Sequence, residues 1–151
     1  AYIEEYNEKA ANYGFTIEAI GVVQQSEVTL AVDTLISKKV DCLSNLTDNN
    51  VVGVLASVLE KTNEAKIPVY GSEVEQMKIG CVAGAGIDYI KLGKQTGAIA
   101  AKILKGEAKA SEIPYEVISE YSIYINSAAL AKMGISVPLE VSQKAIEATN
   151  S

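Results

Sequence analysis

Hydroxyl, amide and carboxylate groups recur immediately after the short apolar segments of this sequence. The residues that follow four such segments are Gln24, Gln25 and Ser26, then Thr47, Asp48 and Asn49, then Gly71, Ser72 and Glu73, and finally Gly84, Ala85 and Gly86. The carboxylate of Asp48 or Glu73 could bind an ammonium group, while hydroxyls and helix N–H groups could bind a carboxylate. A small ligand that carries both charges, such as an amino acid, fits this combination.

Several of these residues also suit a purely structural role. Ser26, Asp48 and Ser72 each stand where the N-cap of a helix is expected, and a side-chain oxygen there accepts hydrogen bonds from the first helical N–H groups. Asp48 is the strongest candidate for a role in binding beyond capping, and Glu73 is the next.

The composition excludes much familiar chemistry. The chain contains no histidine, so a Ser-His-Asp triad, a Cys-His pair and a histidine-ligated metal site are excluded. Two carboxylates could act as acid and base, as in glycosidases, but no other catalytic group accompanies Asp48 and Glu73. We therefore place binding above catalysis and expect no enzymatic activity, no metal and no cofactor.

Two glycine-containing motifs match nucleotide-binding sequences only in part. In GAGIDY the third glycine of G-x-G-x-x-G would fall at Tyr89, and the motif closes the series of strands and helices instead of opening it. GKQTG lacks the upstream glycine and the Lys-Ser/Thr pair of a P-loop. We assign neither motif to nucleotide binding, and tight backbone turns are the better explanation of Gly84 and Gly86.

Charge and cysteine content narrow the classes of partner. The net charge of -6 argues against nucleic acid, since phosphate binding draws on clustered lysine and arginine. No apolar run is long enough to span a membrane. Cys42 and Cys81 lie in apolar runs, where buried free thiols are favoured over a disulfide.

The sequence opens directly on a helical pattern. Tyr2, Tyr6, Ala10 and Tyr13 recur at helical intervals, which predicts a helix with its tyrosines in the core. A chain that begins inside an element is typical of a truncated product or of one whose leader has been removed.

The apolar pattern then alternates between strand and helix periodicity. The predicted strands are Phe15 to Val23, Val40 to Leu46, and the runs within KIPVYG and GCVAGAG. The predicted helices are one capped by Ser26, Asn49 to Asn63, Asp88 to Lys105, Ser127 to Lys132 and one near Pro138, with a long extended segment over SEIPYEVISEYSIYIN. Strands separated by helices indicate an α/β fold, a parallel sheet flanked by helices.

The predicted helix from Asp88 to Lys105 has two glycines in its interior. Gly93, Gly97 and Ala101 recur at intervals of four residues and so form one smooth ridge. Each glycine costs about 1 kcal/mol relative to alanine in a helix interior, so we expect the ridge to pack closely against another backbone.

Four motifs in order resemble one family. They are TDNNV, AKIPVYGSE, GIDYIKLGKQTGAIAAKILKGE and YINSAALAKMGISVP. Together they resemble the substrate-binding proteins of ABC importers with the type I periplasmic-binding fold, in the branch associated with tryptophan and other aromatic amino acids. Such proteins have two α/β lobes that close over a ligand, and this chain resembles the carboxyl-terminal half.

The resemblance implies an organisation and a site. Residues 1–82 would belong to the second lobe without its first strand, residues 83–114 would cross to the first lobe, and residues 115–151 would return. The matching ligand-facing positions are Thr47, Asp48, Asn49, Ser72 and Glu73, with Gly84 and Ala85 at a hinge beside the cleft. This sequence departs from the family pattern at CLSNL, before Thr47, where relatives more often have an apolar or aromatic run with a proline.

The resemblance also implies partners and a location. The protein would capture an amino acid for an ABC transporter permease, outside the bacterial membrane or in the periplasm, with a lipid anchor in the full-length form. The alternatives are a ligand-sensing domain of a regulator and a small α/β enzyme that uses the same cleft. We expect weak or no ligand binding by this half alone, with the glycine ridge shaped for the missing lobe and the exposed faces open to self-association.

Overall fold

The computed structural model describes residues 2–118 and 120–148, which form two units divided between Tyr70 and Gly71. The first unit contains the helices α1 (Tyr2–Ala10), α2 (Gln25–Ser37), α3 (Asn49–Val52) and α4 (Leu55–Glu64), a 3-10 helix at Ala11–Tyr13, and the strands β1 (Leu43–Ser44) and β2 (Val69–Gly71). Strand β2 ends at Gly71, the first residue of the second unit.

The core of the first unit lies where α2 and α4 pack together with the β1–β2 pair. The two strands are parallel, with Leu43 opposite Val69 and Ser44 opposite Tyr70. The buried apolar side chains are Val28 and Val32 of α2, Leu55, Val58 and Leu59 of α4, and Ile67 and Val69. An ion pair of 2.6 Å between Lys61 Nζ and Asp33 Oδ1 also joins the two helices.

Helix α2 begins differently from the sequence prediction. Its N-cap is Gln24, and Ser26 is the second helical residue. The carboxylate of Glu27 accepts hydrogen bonds from the backbone N–H groups of Val23 (2.8 Å) and Gln24 (3.2 Å), and these bonds lower its pKa. The predicted serine cap is therefore wrong, because Ser26 already lies within the helix.

The described part of the second unit contains four α-helices, a 3-10 helix at Ala110–Glu112 and three strands. The helices are α5 (Val74–Ile79), α6 (Tyr89–Leu104), α7 (Ser127–Met133) and α8 (Leu139–Ser142); the strands are β3 (Ala83–Ile87), β4 (Tyr121–Ile125) and β5 (Ile146–Glu147). Strands β3 and β4 pair antiparallel from Ala83↔Ile125 to Ile87↔Tyr121, whereas β4 and β5 pair in parallel. Met77, Cys81, Val82 and Leu130 are buried in this unit.

Asn126 connects three elements of the second unit. Its Oδ1 caps α7 by accepting from Ala129 N (2.9 Å), and its Nδ2 donates to the carbonyl oxygen of Met77 in α5 (2.7 Å). Its backbone N donates to the carbonyl oxygen of Val82, immediately before β3 (3.0 Å). One asparagine therefore fixes where β4 ends and where α7 begins.

The α/β fold class is confirmed, and four details differ from the prediction. The segment from Phe15 to Val23 is not a strand, because no described strand pairs with it, and Val23 is 82% exposed. Tyr6 and Tyr13 are not core residues, since Tyr6 is exposed and Tyr13 is 75% exposed, while the side chain of Tyr2 lies outside the described part of the structure. Only Tyr121–Ile125 of the long extended segment is a strand, and it is antiparallel to β3.

The cysteines match the prediction in part. Both are free thiols, as predicted, but Cys42 is exposed and only Cys81 is buried. Burial raises the pKa of the Cys81 thiol to about 12. Cys81 is therefore protonated at neutral pH and acts as a small apolar core residue.

Helix α6 lies on the surface of the second unit. Asp88 caps it, with Oδ1 accepting from Ile90 N (2.9 Å) and Lys91 N (3.1 Å). None of its residues is buried, and Ile90 and Leu104 are 72% and 87% exposed. A Cβ atom added at Gly93 or Gly97 would have no neighbour within 4 Å in the part of the chain that the structure describes.

Candidate ligand-binding site

The loop after β1, in the first unit, carries three of the predicted site residues. Asp48 is the N-cap of the short helix α3, and its Oδ1 accepts from Asn50 N (2.8 Å) and Val51 N (3.3 Å). The capping role predicted for Asp48 is therefore confirmed. Thr47, Asp48 and Asn49 are all exposed, so a ligand could reach this loop.

Asn45, just before this loop, is a polar residue in a buried position. It is 8% exposed, and its backbone N donates to the carbonyl oxygen of Tyr70 (2.8 Å), which extends the β1–β2 pairing by one residue. Its side-chain Nδ2 is buried and has no hydrogen-bond partner among the described residues. Asn45 was not among the site residues predicted from the sequence, although it lies within CLSNL, the segment that departs from the family pattern.

The loop after β2, in the second unit, is fixed by a buried glutamine. Gln76 of α5 is fully buried, its Oε1 accepts from Ser72 N (3.0 Å), and its Nε2 donates to Ser72 Oγ (3.5 Å). The N-cap of α5 is Glu73 and not Ser72, and the Glu73 side chain makes no capping hydrogen bond. The half-buried carboxylate of Glu73 is therefore not used by the helix that it begins.

Strand β3 lies against that same loop. A Cβ atom at Gly84 would be 2.2 Å from the carbonyl oxygen of Gly71 and 2.7 Å from Met77 Cε. A Cβ atom at Gly86 would be 3.3 Å from Glu73 Cα, while Ala85 between them is exposed. The structure thus brings the predicted positions Ser72, Glu73, Gly84 and Ala85 into one region of the second unit.

This close approach explains the glycines of GAGIDY. Both glycines lie within strand β3 and not in the tight turns predicted for them. A Cβ atom at Gly84 would collide with the loop backbone, and one at Gly86 would be in tight contact with Glu73. Gln76 could not have been selected from sequence, because nothing in its spacing distinguishes it from an exposed helical residue.

The charges available for a ligand are limited. The 13 basic residues of the chain are all lysines, and none lies between residues 40 and 60 or between 67 and 77. No group of three or more potential metal ligands occurs within residues 2–118 and 120–148. The loops therefore offer carboxylates and neutral donors, which suits an ammonium group together with hydrogen-bond acceptors.

A depression beside α6 in the second unit suits a ligand less well. Its volume is about 260 Å³, and it is lined by Asp88, Lys91, Gln95, Val117, Ile118 and Glu120. Lys91 Nζ is 2.9 Å from Glu120 Oε2, which raises the Lys91 pKa, and Asp88 caps α6. The charged side chains of this groove are thus occupied with one another or with the backbone.

Comparison with known proteins identifies the family. Residues 1–149 match the sequence profile described as ABC transporter substrate binding protein. The chain belongs to this family. A tyrosine-binding protein of Clostridioides difficile is 33% identical over 128 residues, which are 85% of this chain and 36% of that protein.

Solved structures of substrate-binding proteins have the same fold. A Streptococcus pneumoniae ABC domain in complex with L-Trp superposes with a TM-score of 0.86 at 29% identity, covering 97% of this chain and 49% of that one. A ligand-free, open substrate-binding protein with adhesive properties from Clostridium difficile superposes with a TM-score of 0.72 at 30% identity, covering 98% of this chain and 49% of that one. The chain therefore spans about half the length of these substrate-binding proteins.

None of the helices within residues 2–118 and 120–148 combines the length and apolar character needed to cross a bilayer.

Proposed function

We propose that this chain is part of the solute-binding component of an ABC importer and that it captures an aromatic amino acid. The observation that carries the proposal is its membership of the substrate-binding family, with relatives that are named for tyrosine or contain L-Trp. The loop chemistry supports it, since Asp48 is exposed and Glu73 makes no capping hydrogen bond.

The proposal assigns each part of the chain to the full-length protein. Residues 1–82 belong to the second lobe, residues 83–114 cross to the first lobe and residues 115–151 return. The ligand lies in the cleft between the lobes, next to Thr47, Asp48, Asn49, Ser72 and Glu73, with Gly84 and Ala85 beside the cleft. The ammonium group of the ligand is held by Asp48 or Glu73.

The proposal also covers partners and location. The protein delivers its ligand to an ABC transporter permease, works on the outer side of the cytoplasmic membrane with a lipid anchor in the full-length form, and has no catalytic step. It binds no nucleic acid, because its basic residues are too few and too dispersed for phosphate contacts.

Asp48→Asn in the full-length protein tests this function. Asparagine is as good an N-cap as aspartate, so the substitution removes the charge and retains the helix start. We expect the affinity for L-tyrosine and L-tryptophan, measured by isothermal titration calorimetry, to fall about ten-fold or more. The thermal unfolding midpoint should remain unchanged.

Asp88→Asn is the matched control. Asp88 caps α6 with two hydrogen bonds (2.9 and 3.1 Å) that resemble those of Asp48 (2.8 and 3.3 Å), but it is not a predicted site residue. This variant should bind both amino acids with unchanged affinity. An unchanged affinity in Asp48→Asn would limit Asp48 to capping, and a wild-type protein that binds neither amino acid would refute the proposed function.

A further inference from the structure

Asn45 occupies a position whose backbone is already fixed. Leu43 N donates to the carbonyl oxygen of Pro68 (2.9 Å), and Asn45 N donates to that of Tyr70 (2.8 Å). Leu43 and Asn45 lie on the same face of the strand, because side chains alternate along it. An apolar side chain would suit this buried place at the end of β1.

The Asn45 side chain is costly where it lies. Its Nδ2 is buried and donates to none of the described residues. A buried donor without an acceptor loses its hydration and gains nothing in return, so buried polar groups in native proteins are nearly always paired with protein, water or ligand. Leucine has a similar size and would avoid this cost.

Donors for an anionic ligand group are few near Asn45 in the sequence. The chain has no arginine to bind a carboxylate in bidentate fashion, and residues 40–60 contain no lysine. The backbone N–H groups of Asn50 and Val51 at the start of α3 are already used by Asp48. At this loop the chain therefore offers the carboxylate of an amino acid neutral donors, and Asn45 Nδ2 is one that donates to no other described residue.

We propose that Asn45 binds the ligand, with Nδ2 donating a hydrogen bond to the carboxylate of the amino acid. This inference rests on the proposed function and adds to it a residue that determines recognition of the carboxylate. Because Nδ2 is closed off from solvent here, ligand binding includes a rotation of the Asn45 side chain toward the loop from Thr47 to Asn49.

Asn45→Leu in the full-length protein tests the inference with two measurements. Isothermal titration calorimetry should show the affinity for L-tryptophan and L-tyrosine lowered about ten-fold or more, since a hydrogen bond to a charged group is lost. The thermal unfolding midpoint of the ligand-free variant should be equal to or above that of the wild type, because a buried unpaired donor has been removed. A residue with only a structural role would instead lower the midpoint.

Two further variants complete the test. Asn45→Asp has nearly the same shape but carries a negative charge, and should bind the amino acids more weakly than Asn45→Leu. Asn63→Leu is the control, because Asn63 lies in the last turn of α4. The chain runs from this turn into the start of β2, which is the end of that strand away from the loop after β2. The affinity of this variant should equal that of the wild type.

The outcomes separate the inference from the function on which it rests. Wild-type binding of either amino acid combined with unchanged affinity in Asn45→Leu would overturn the role of Asn45 and leave the proposed function intact. A lowered unfolding midpoint in ligand-free Asn45→Leu would likewise overturn it, in favour of a structural role. A wild-type protein that binds neither amino acid would overturn both.

Discussion

Gly84 allows the β3 backbone to approach the loop after β2. The nearest atom to a Cβ at this position would be the carbonyl oxygen of Gly71, at 2.2 Å. Because that atom belongs to the backbone, it cannot rotate away as the end of a side chain could. Any larger residue would separate β3 from the loop that carries Ser72 and Glu73.

We expect Gly84→Ala to lower the free energy of unfolding by about 2 kcal/mol or more, the usual cost of overpacking a tight contact. Urea denaturation monitored by circular dichroism measures it. Gly21→Ala is the control, because a Cβ there would have no described neighbour within 4 Å; its stability should be unchanged or slightly higher. Equal stability of Gly84→Ala and wild type would show that the loop yields without cost.

The residue types at the site were easier to predict from the sequence than the burial and hydrogen bonds of those residues. The polar residues at the ends of β1 and β2 follow from the apolar pattern, and Asp48 caps a helix as expected. The burial of Asn45 and Gln76 could not be predicted, because it depends on which elements pack over them. Local pattern thus located the loops but not the buried amides within them.

Helices were predicted better than strands at the scale of the element. The α6 pattern is local, since a helix makes its hydrogen bonds within one segment, and its bounds, Tyr89–Leu104, fall within the predicted range. The segment from Phe15 to Val23 has apolar strand character, yet a strand requires a neighbour, and the described chain pairs none with it. The antiparallel β3–β4 pairing was missed for a similar reason, because strand order depends on tertiary contacts.

We expect substitutions in α6 to change stability differently in this chain and in the full-length protein. A Cβ at Gly93 or Gly97 has no neighbour within 4 Å among the described residues, so we expect Gly93→Ala and Gly97→Ala each to raise the free energy of unfolding of this chain by about 0.5–1 kcal/mol. In the full-length protein the ridge should contact the other lobe, and the same substitutions should lower stability or ligand affinity.

Ala100→Gly provides the control for this comparison. It is exposed on the same helix and should lower the free energy of unfolding by about 1 kcal/mol in both forms. Urea denaturation of each variant in each form gives the values. Stabilisation by Gly97→Ala in both forms would show that no other backbone packs on the ridge.

Large apolar side chains are exposed on both units of the molecule. In the first unit Tyr13, Phe15 and Leu30 are exposed, and in the second Ile90 and Leu104 are exposed. The chain spans 49% of the L-Trp-bound relative from Streptococcus pneumoniae. We expect the further length of the full-length protein to cover part of this apolar surface.

We therefore expect the 151-residue chain to bind L-tryptophan and L-tyrosine at least about 100-fold more weakly than the full-length protein, because one lobe buries too little of a small ligand. Isothermal titration calorimetry on both forms measures the ratio.

Sedimentation velocity over a range of concentrations should show that the chain alone self-associates while the full-length protein remains monomeric. Leu104→Glu, which places a charge on the exposed end of α6, should reduce that association without changing secondary structure. Equal affinities in the two forms would place the whole binding site within this chain, and a monomeric chain would show that its apolar faces need no cover.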